Sequence, residues 1–427
     1  MMVSATPYVF SGRRRLPVET ACSFEAPPRL PALADLPAAV AEALDAPPDG
    51  APLLSLARGA HSVAVVVPDA SRGCPVAALL PPVLERLAQA GVSDDQIAVV
   101  VGCGLHRTTT AAEKAALVGP AATARLRVVD AQGMSQTSVT LGVTTGGSEI
   151  CMNDVVARAA LVVALGIVEP HLYAGFSGGV KAVAIGCAGQ QTIAWTHHPT
   201  FLDQPDVRLC RLEGNPFQRA LREIAAATTL RYALNVVVND DGEVAAVAGG
   251  DPAGAQARLA RGQGAAWVRR HERPFDLVVA GVPAPKDRSL YQASRAATYV
   301  GLAARPAIAE GGMIACCADL ALGVGDGPGE INFGALLAAE RPLDLVARGR
   351  VEPLGPGGQR AYMMAKLMAR YRVALVGDGD RALIESLGLL AYRTIDEAVA
   401  AARRARGPAA RILAVADGLD TIVELAD

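Results

Sequence analysis

The chain has 427 residues, 51% of them hydrophobic and 19% charged, which exceeds a single small module and is enough apolar material for two domain cores. Forty Lys+Arg against forty-two Asp+Glu leave a formal net charge of −2 with no long charge block, which argues against a nucleic-acid scaffold or a polybasic membrane anchor and favours small-molecule partners. The longest uninterrupted apolar run, residues 159–168, is about half of what a spanning helix needs, so no membrane segment is expected.

Near the N-terminus, Arg13, Arg14 and Arg15 resemble a twin-arginine address, but the following LPVETACSFEAPPRLP is broken by Pro and Glu and cannot act as an apolar export region. The eight cysteines form no C-x-x-C pair and no secretory signal accompanies them, so free thiols and a cytoplasmic location are expected. The first sixty residues are Pro-rich and read as irregular. Beyond them strand-like and helix-like runs alternate, the βαβ signature of a parallel sheet. Val63 to Val67 reads as a buried strand, Pro75 to Ala90 as a helix, and Gln96 to Val101 and Ala159 to Val168 as further strands. Two hairpins are expected as insertions on this body, one around Gly146 and Gly147 and one at the Asp241-Gly242 turn. The charged stretch Arg269 to Pro274 precedes a new apolar run at Phe275. We place a boundary there: an N-terminal α/β domain over 1–272 and a smaller C-terminal α/β domain over 273–427, whose last segment could return to the first. Residues 311–317, 371–377 and 411–417 supply the second domain's strands. The fold class expected is two Rossmann-like α/β domains with an inter-domain active-site cleft.

Two Gly-rich loops invite nucleotide readings. Gly102-x-Gly104 follows a strand as in a dinucleotide fingerprint, but Arg107 stands at the third glycine position. Gly175, Ser177, Gly178 and Gly179 precede Lys181 like a phosphate loop. It fails as an ATPase motif, because Val180 replaces the glycine before the lysine and Ala182 offers no hydroxyl for Mg²⁺. What remains is a tight turn whose backbone N–H groups and Ser177 could hold a phosphate while Lys181 points inward. The chain carries six histidines, and His106 and His171 each follow a strand. In a parallel sheet both strand ends open on one crevice, so two imidazoles facing one carbon would suit a racemase or epimerase. His197 and His198, as neighbours, cannot both bind one ion comfortably, so a metal here would need ligands from a cofactor.

Several segments together resemble the nickel-pincer-dependent lactate racemase family over most of the chain: PDASR (68–72), GLHR (104–107), EPHLYAGFSGGVK (169–181), His197, EGNP (213–216) and LYQASR (290–295). The resemblance implies a cofactor, the pyridinium-3-thioamide-5-thiocarboxylic acid mononucleotide nickel complex, joined to Lys181 through a thioamide, with His197 completing the Ni coordination. It implies His106 and His171 as paired acid/bases, Arg72 holding the substrate carboxylate with Asp69 helping to orient that site, and Tyr291, Gln292 and Arg295 closing it. The implied reaction racemises or epimerises a 2-hydroxy acid by reversible hydride transfer through a 2-oxo acid, with the cofactor's biosynthesis enzymes as partners. The chain departs from the family pattern at Ala70, where a His is usual, and at Arg295, where a Lys is usual. Arginine is planar and stays charged, so the substrate stays open among lactate, malate and larger or sugar acids. Two other readings stand beside this one: an NAD-dependent 2-hydroxy acid oxidoreductase using the Gly102 loop, and a non-catalytic protein that binds the nickel nucleotide.

Overall fold

The computed structural model describes residues 6–28, 30–133 and 138–426. The chain divides into two compact units, Arg29–His197 with Phe201–Gly264, and Met1–Pro28 with His198–Thr200 and Ala265–Asp427. The expected boundary at 272 therefore moves to 264, and the N-terminal stretch changes sides. That stretch is not irregular either. Strands β1 (Tyr8–Gly12) and β2 (Arg14–Pro17) form an antiparallel hairpin, and β3 (Ser23–Glu25) follows; all three join the sheet built by the second half of the chain.

In the first unit the strands are β4 (Val63–Pro68), β5 (Ile97–Gly104), β6 (Arg127–Gln132), β7 (Ser138–Val143), β8 (Glu149–Asn153), β9 (Leu161–Ile167), β10 (Pro170–His171), β11 (Gly175–Phe176), β12 (Leu230–Val238) and β13 (Val244–Gly250). Among the described residues its main sheet runs β13-β12-β9-β4-β5-β6. Every neighbouring pair is parallel except β12 with β13. Residues 63–67 and all of β9 are buried, as continuous Val/Ile/Leu runs must be in a sheet covered on both faces. The helix Val76–Gln89 makes the crossover from β4 to β5 and buries Leu79, Leu80, Val83 and Leu87 in the same core. The β7–β8 hairpin stands apart as expected. The β12–β13 hairpin does not: β12 pairs in parallel with β9, Ala233 opposite Ala164 and Asn235 opposite Gly166, so it is part of the main sheet and not an insertion. A strand apolar on both faces is stable only inside a sheet, and β12 is buried from Tyr232 to Val237.

The chain steps from β4 to β5 to β6 in one direction and then returns to β9 on the other side of β4. Strand order thus reverses between β4 and β9, the kind of point where open parallel sheets bind ligands at the strands' C-terminal ends.

The second unit adds β14 (Val268–His271), β15 (Phe275–Pro283), β16 (Ile308–Cys317), β17 (Arg372–Val376), β18 (Leu390–Tyr392), β19 (Ile412–Val415) and β20 (Ile422–Leu425). Its described sheet follows β18-β17-β16-β15-β1-β2, with β19 bridging β15 and β3. Ser11 pairs with Val282, and Phe24 with Ala414. The last segment pairs β20 with β14, residues that the expected boundary at 272 had put in the first domain. No helix among the described residues is long and apolar enough to cross a membrane, and all eight cysteines are free thiols.

Candidate active site

Three strand ends of the first unit meet at the switch point. Asp69 directly follows β4 and caps the short turn Ala70–Arg72: its Oδ1 accepts from the Ser71 N–H at 2.8 Å and from the Ser71 hydroxyl. The other oxygen, Oδ2, lies 3.1 Å from His106 Nδ1 and 3.9 Å from Arg72 Nε. Burial raises this carboxyl, but the His106 hydrogen bond, the Arg72 charge and Ser71 more than reverse it, and Asp69 is held far below the ordinary aspartate range. An ionised carboxylate only accepts, so His106 donates from Nδ1, and in the neutral form of the ring the lone pair is on Nε2. The Asp69 side chain is 12% exposed and that of His106 is 37% exposed, so the imidazole faces solvent while its carboxylate partner is sheltered.

His106 sits on the loop after β5, and that loop is pinned by Asp130 at the end of β6. Asp130 Oδ1 accepts from the Thr109 N–H (3.3 Å) and hydroxyl (2.7 Å), and Oδ2 pairs with Lys114 at 2.7 Å. Gly102 and Gly104 serve packing here. A Cβ on Gly102 would lie 3.2 Å from the Gly186 Cα and 3.3 Å from the Ala182 carbonyl, and the Gly104 N–H donates to the Gly186 carbonyl at 2.9 Å. These glycines let the backbone that follows Lys181 lie against β5.

After β9, residues 169–181 fold as a small hairpin in which His171 pairs with Gly175. The N–H groups of Tyr173 and Ala174 point at His171 Nδ1 from 3.3 and 3.2 Å, so Nδ1 accepts and a neutral His171 carries its proton on Nε2. Gly175, Gly178 and Gly179 have φ of 74°, 77° and 56°, a region that favours glycine. Buried amides fix the rest of the loop. Asn215 donates to the Tyr173 carbonyl (2.8 Å), Gln218 to Ala174 (2.7 Å), and Gln256 to Ser177 (2.9 Å), while Asn235 accepts from the Gly179 N–H (3.0 Å). Ser177 donates to the Ile167 carbonyl at 2.7 Å and accepts from the Glu169 N–H at 3.0 Å. The N–H groups of Ser177 and Lys181 bond to the Glu169 and Gly178 carbonyls. The Ser177 hydroxyl and the N–H groups of Ser177, Gly179 and Lys181 are thus engaged in holding the loop's own shape, which sets where Lys181 begins the helix Lys181–Ala184.

His197 closes the helix Gln190–Thr196. Its Nδ1 donates to the Ile193 carbonyl at 2.9 Å, beside the Thr196 hydroxyl at 3.0 Å, which leaves the lone pair on Nε2, as in metal-binding histidines steered by a backbone carbonyl. Tyr173 and Phe217 meet its ring edge-on at 5.5 and 5.2 Å, and Tyr173 also meets His171 at 5.6 Å. His198 instead turns Nδ1 to the Thr200 hydroxyl at 3.1 Å.

In the second unit, Tyr291, Gln292 and Arg295 lie on the helix Leu290–Gly301, capped by Ser289. Arg295 is buried; its Nη2 donates to the Tyr299 hydroxyl at 3.0 Å and its guanidinium lies over that ring at 5.5 Å. Tyr291 meets Phe333 edge-on at 5.4 Å.

Residues 13–209 match the lactate racemase N-terminal domain and residues 271–423 the lactate racemase C-terminal domain. The chain belongs to the lactate racemase family. Lactate racemases are isomerases, and both halves of the sequence put the chain in that class. It is 28% identical over 407 residues to the lactate racemase of Lactiplantibacillus plantarum, covering 90% of each chain. It is 27% identical over 395 residues to that of Thermoanaerobacterium thermosaccharolyticum, covering 90% of this chain and 89% of the relative. The fold is shared with the solved lactate racemase apoprotein from the latter organism (TM-score 0.89, 24% identity, 98% of this chain and 100% of that one). A Thermotoga maritima protein shares it more distantly (TM-score 0.69, 15% identity, 88% and 96%).

In this lactate racemase family member, Asp69, Arg72 and His106 form one bonded group, and His171 and His197 share the Tyr173 ring. Sequence reasoning missed the direct Asp69–His106 bond, the Asp130 pin and the amides Gln218, Asn235 and Gln256. Asn215 alone had a signal, in the EGNP segment.

Proposed function

We propose that the chain is a cytoplasmic racemase or epimerase of a 2-hydroxy acid that works with a nickel-pincer nucleotide and receives it from that cofactor's biosynthesis enzymes. The carrying observation is the Asp69–His106 pair at the switch point, with His171 after the neighbouring strand. The residues fit the cofactor chemically: His197 has its Nε2 lone pair set by the Ile193 carbonyl, and Lys181 starts a helix after a turn built by Gly175, Gly178 and Gly179. Lys181 would hold the nucleotide covalently and His197 would ligate Ni. The chemistry such a group would supply there, when bound, is reversible hydride acceptance from the substrate's C2.

The chain's own residues then have defined tasks. A 2-hydroxy acid C–H is too weakly acidic for easy proton abstraction, but its hydroxyl proton can go to a base while the hydrogen leaves C2. His106 takes that proton at Nε2, and the Asp69 carboxylate stabilises the imidazolium formed. Arg72 holds the substrate carboxylate in a two-point contact. The flat 2-oxo acid turns, and His171 serves the opposite face as partner acid/base. Tyr291, Gln292 and Arg295 supply the remaining substrate contacts.

The test is the fate of the hydrogen. Substrate carrying deuterium at C2, turned over in ordinary water by nickel-loaded protein, should keep most of its label in the opposite enantiomer, and acid quench should trap a trace of 2-oxo acid. Washout of the label with no 2-oxo acid would mean proton abstraction at carbon, and the hydride reading would be abandoned.

A further inference from the structure

His106 stands midway along a loop whose two ends meet on one carboxylate oxygen. Cys103, near the end of β5, turns its Sγ to Asp130 Oδ1 at 3.5 Å, and Thr109 brings its N–H (3.3 Å) and hydroxyl (2.7 Å) to the same atom. Burial pushes the Cys103 thiol up to about 12, so it stays protonated and donates. Within the loop the His106 N–H donates to the Cys103 carbonyl at 2.9 Å. Asp130 itself is ionised: burial raises its carboxyl, but Lys114 and Thr109 more than reverse that. Its side chain is 10% exposed, so water competes weakly for these bonds. The Arg107–Glu113 pair also ties the loop to the helix Ala111–Val118, but the Arg107 side chain is 64% exposed, and ion pairs so open to water contribute little. The loop's shape therefore rests on Asp130.

We propose that Asp130 is a positioning residue for His106, fixing the tautomer in which the imidazole is offered to the substrate without touching the substrate itself. For turnover the inference rests on the racemase reading above; for the imidazole it rests on the loop alone. Asp69 accepts from His106 Nδ1 at 3.1 Å, and a displacement of the loop by about 1 Å takes that pair out of bonding range. Once Nδ1 is released, nothing in the Asp69 bond keeps the ring proton there, and it moves to Nε2 in part of the molecules. An imidazole protonated on Nε2 cannot accept the hydroxyl proton at that atom.

The experiment compares full-length wild type with Asp130→Ala and Thr109→Val. Ring-nitrogen NMR shifts of His106, assigned by their absence in His106→Ala, are recorded with isotope-labelled histidine in alkaline buffer, where imidazoles are neutral. Racemisation and nickel content are measured on nickel-loaded samples of the same proteins. Wild type should carry the proton on Nδ1. Both variants should show a mixture with the Nε2 form, and kcat should fall by on the order of 10²-fold in Asp130→Ala, with nickel content unchanged. KM should hold, because Arg72 follows β4 and lies outside this loop. Thr109→Val keeps the side chain's volume and the backbone bond to Asp130, so it carries the comparison, with a smaller effect, if Asp130→Ala does not fold. Wild-type ring shifts and kcat in a variant that merely melts earlier would overturn the proposal, since Asp130 would then only stabilise the unit. A fall in kcat with unchanged ring shifts overturns it as well. If wild type turns over no 2-hydroxy acid, the racemase reading fails, while the ring shifts still decide whether Asp130 sets the His106 tautomer.

Discussion

Asp69 divides its two oxygens between two tasks: Oδ1 shapes the turn that follows β4, and Oδ2 orients His106. Asp69→Asn preserves the size but presents an amide where the imidazole needs an acceptor of fixed charge. Racemisation should fall by on the order of 10² to 10⁴, as should that of His106→Ala or His171→Ala, with nickel content unchanged in all three. Chiral chromatography of the product and metal analysis of the same sample check both halves of the statement. The stability contribution of Asp69 has a definite sign. Its folded carboxyl titrates well below the ordinary value of about 3.9, so the stabilisation is fully present above that value. It is lost as pH falls toward the lower folded one. Denaturant titrations should therefore show wild type more stable than Asp69→Asn at neutral pH and the gap closing below about pH 4. A gap that widens on acidification would show that the pairing with His106 and Arg72 does not stabilise the fold. At the residues proposed to hold the cofactor, His197→Ala should deplete nickel. Lys181→Ala should abolish the mass increment on the peptide that contains residue 181. Nickel retained in His197→Ala would move the ligand role to His198.

Among elements, the loop 169–181 carries the largest share of the site and has almost no regular structure of its own. Its conformation is set from outside, by Asn215 and Gln218 at the start of the helix Pro216–Ala226, by Asn235 on β12 and by Gln256 on the helix Pro252–Trp267. Gly178→Ala places a side chain at φ 77° and a Cβ 2.5 Å from Asn235 Oδ1, so it should cost at least about 1–2 kcal/mol from backbone conformation alone. Nickel content should fall with it although no metal ligand is altered. Calorimetric melting with metal analysis tests this, and a variant as stable and as well loaded as wild type would mean that the amide cage does not define the loop. The glycines after β5 show the same logic at a second element, because Gly102 and Gly104 make room for the chain beyond Lys181.

For the whole molecule, the second unit is discontinuous in sequence. β1 adds to β15, and β3 adds to β19, with Val9 and Val18 inside its core. Deleting residues 1–28 should leave residues 29–264 their complete six-stranded sheet and strip neighbours from β15 and β19. Residues 265–427 produced alone should then be poorly packed and aggregation-prone, and residues 1–28 supplied as a separate peptide should improve them. Solubility and near-ultraviolet circular dichroism of the fragments decide the matter; a well-packed 265–427 fragment would show the N-terminal strands to be dispensable.

The sequence by itself determined the α/β class, the parallel strands and the strand-end positions of His106 and His171. Continuous apolar runs such as VAVVV and LVVALGI have one stable use, a sheet covered on both faces, and a parallel sheet sends its C-terminal ends to one side. Short dense segments such as EPHLYAGFSGGVK were legible because their residues act within a few positions of one another. Only the tertiary structure decided the rest. Whether a Pro-broken N-terminal stretch is irregular or supplies sheet strands depends on partners some 270–390 residues away, and the β12–β13 hairpin is part of the main sheet only because β9 lies beside it. Asp69 and His106 are 37 residues apart and the Gly179–Asn235 bond spans 56. A hydrogen bond leaves no trace in local periodicity when its two ends lie on different strands, so these contacts became readable only once the sheet had brought them together.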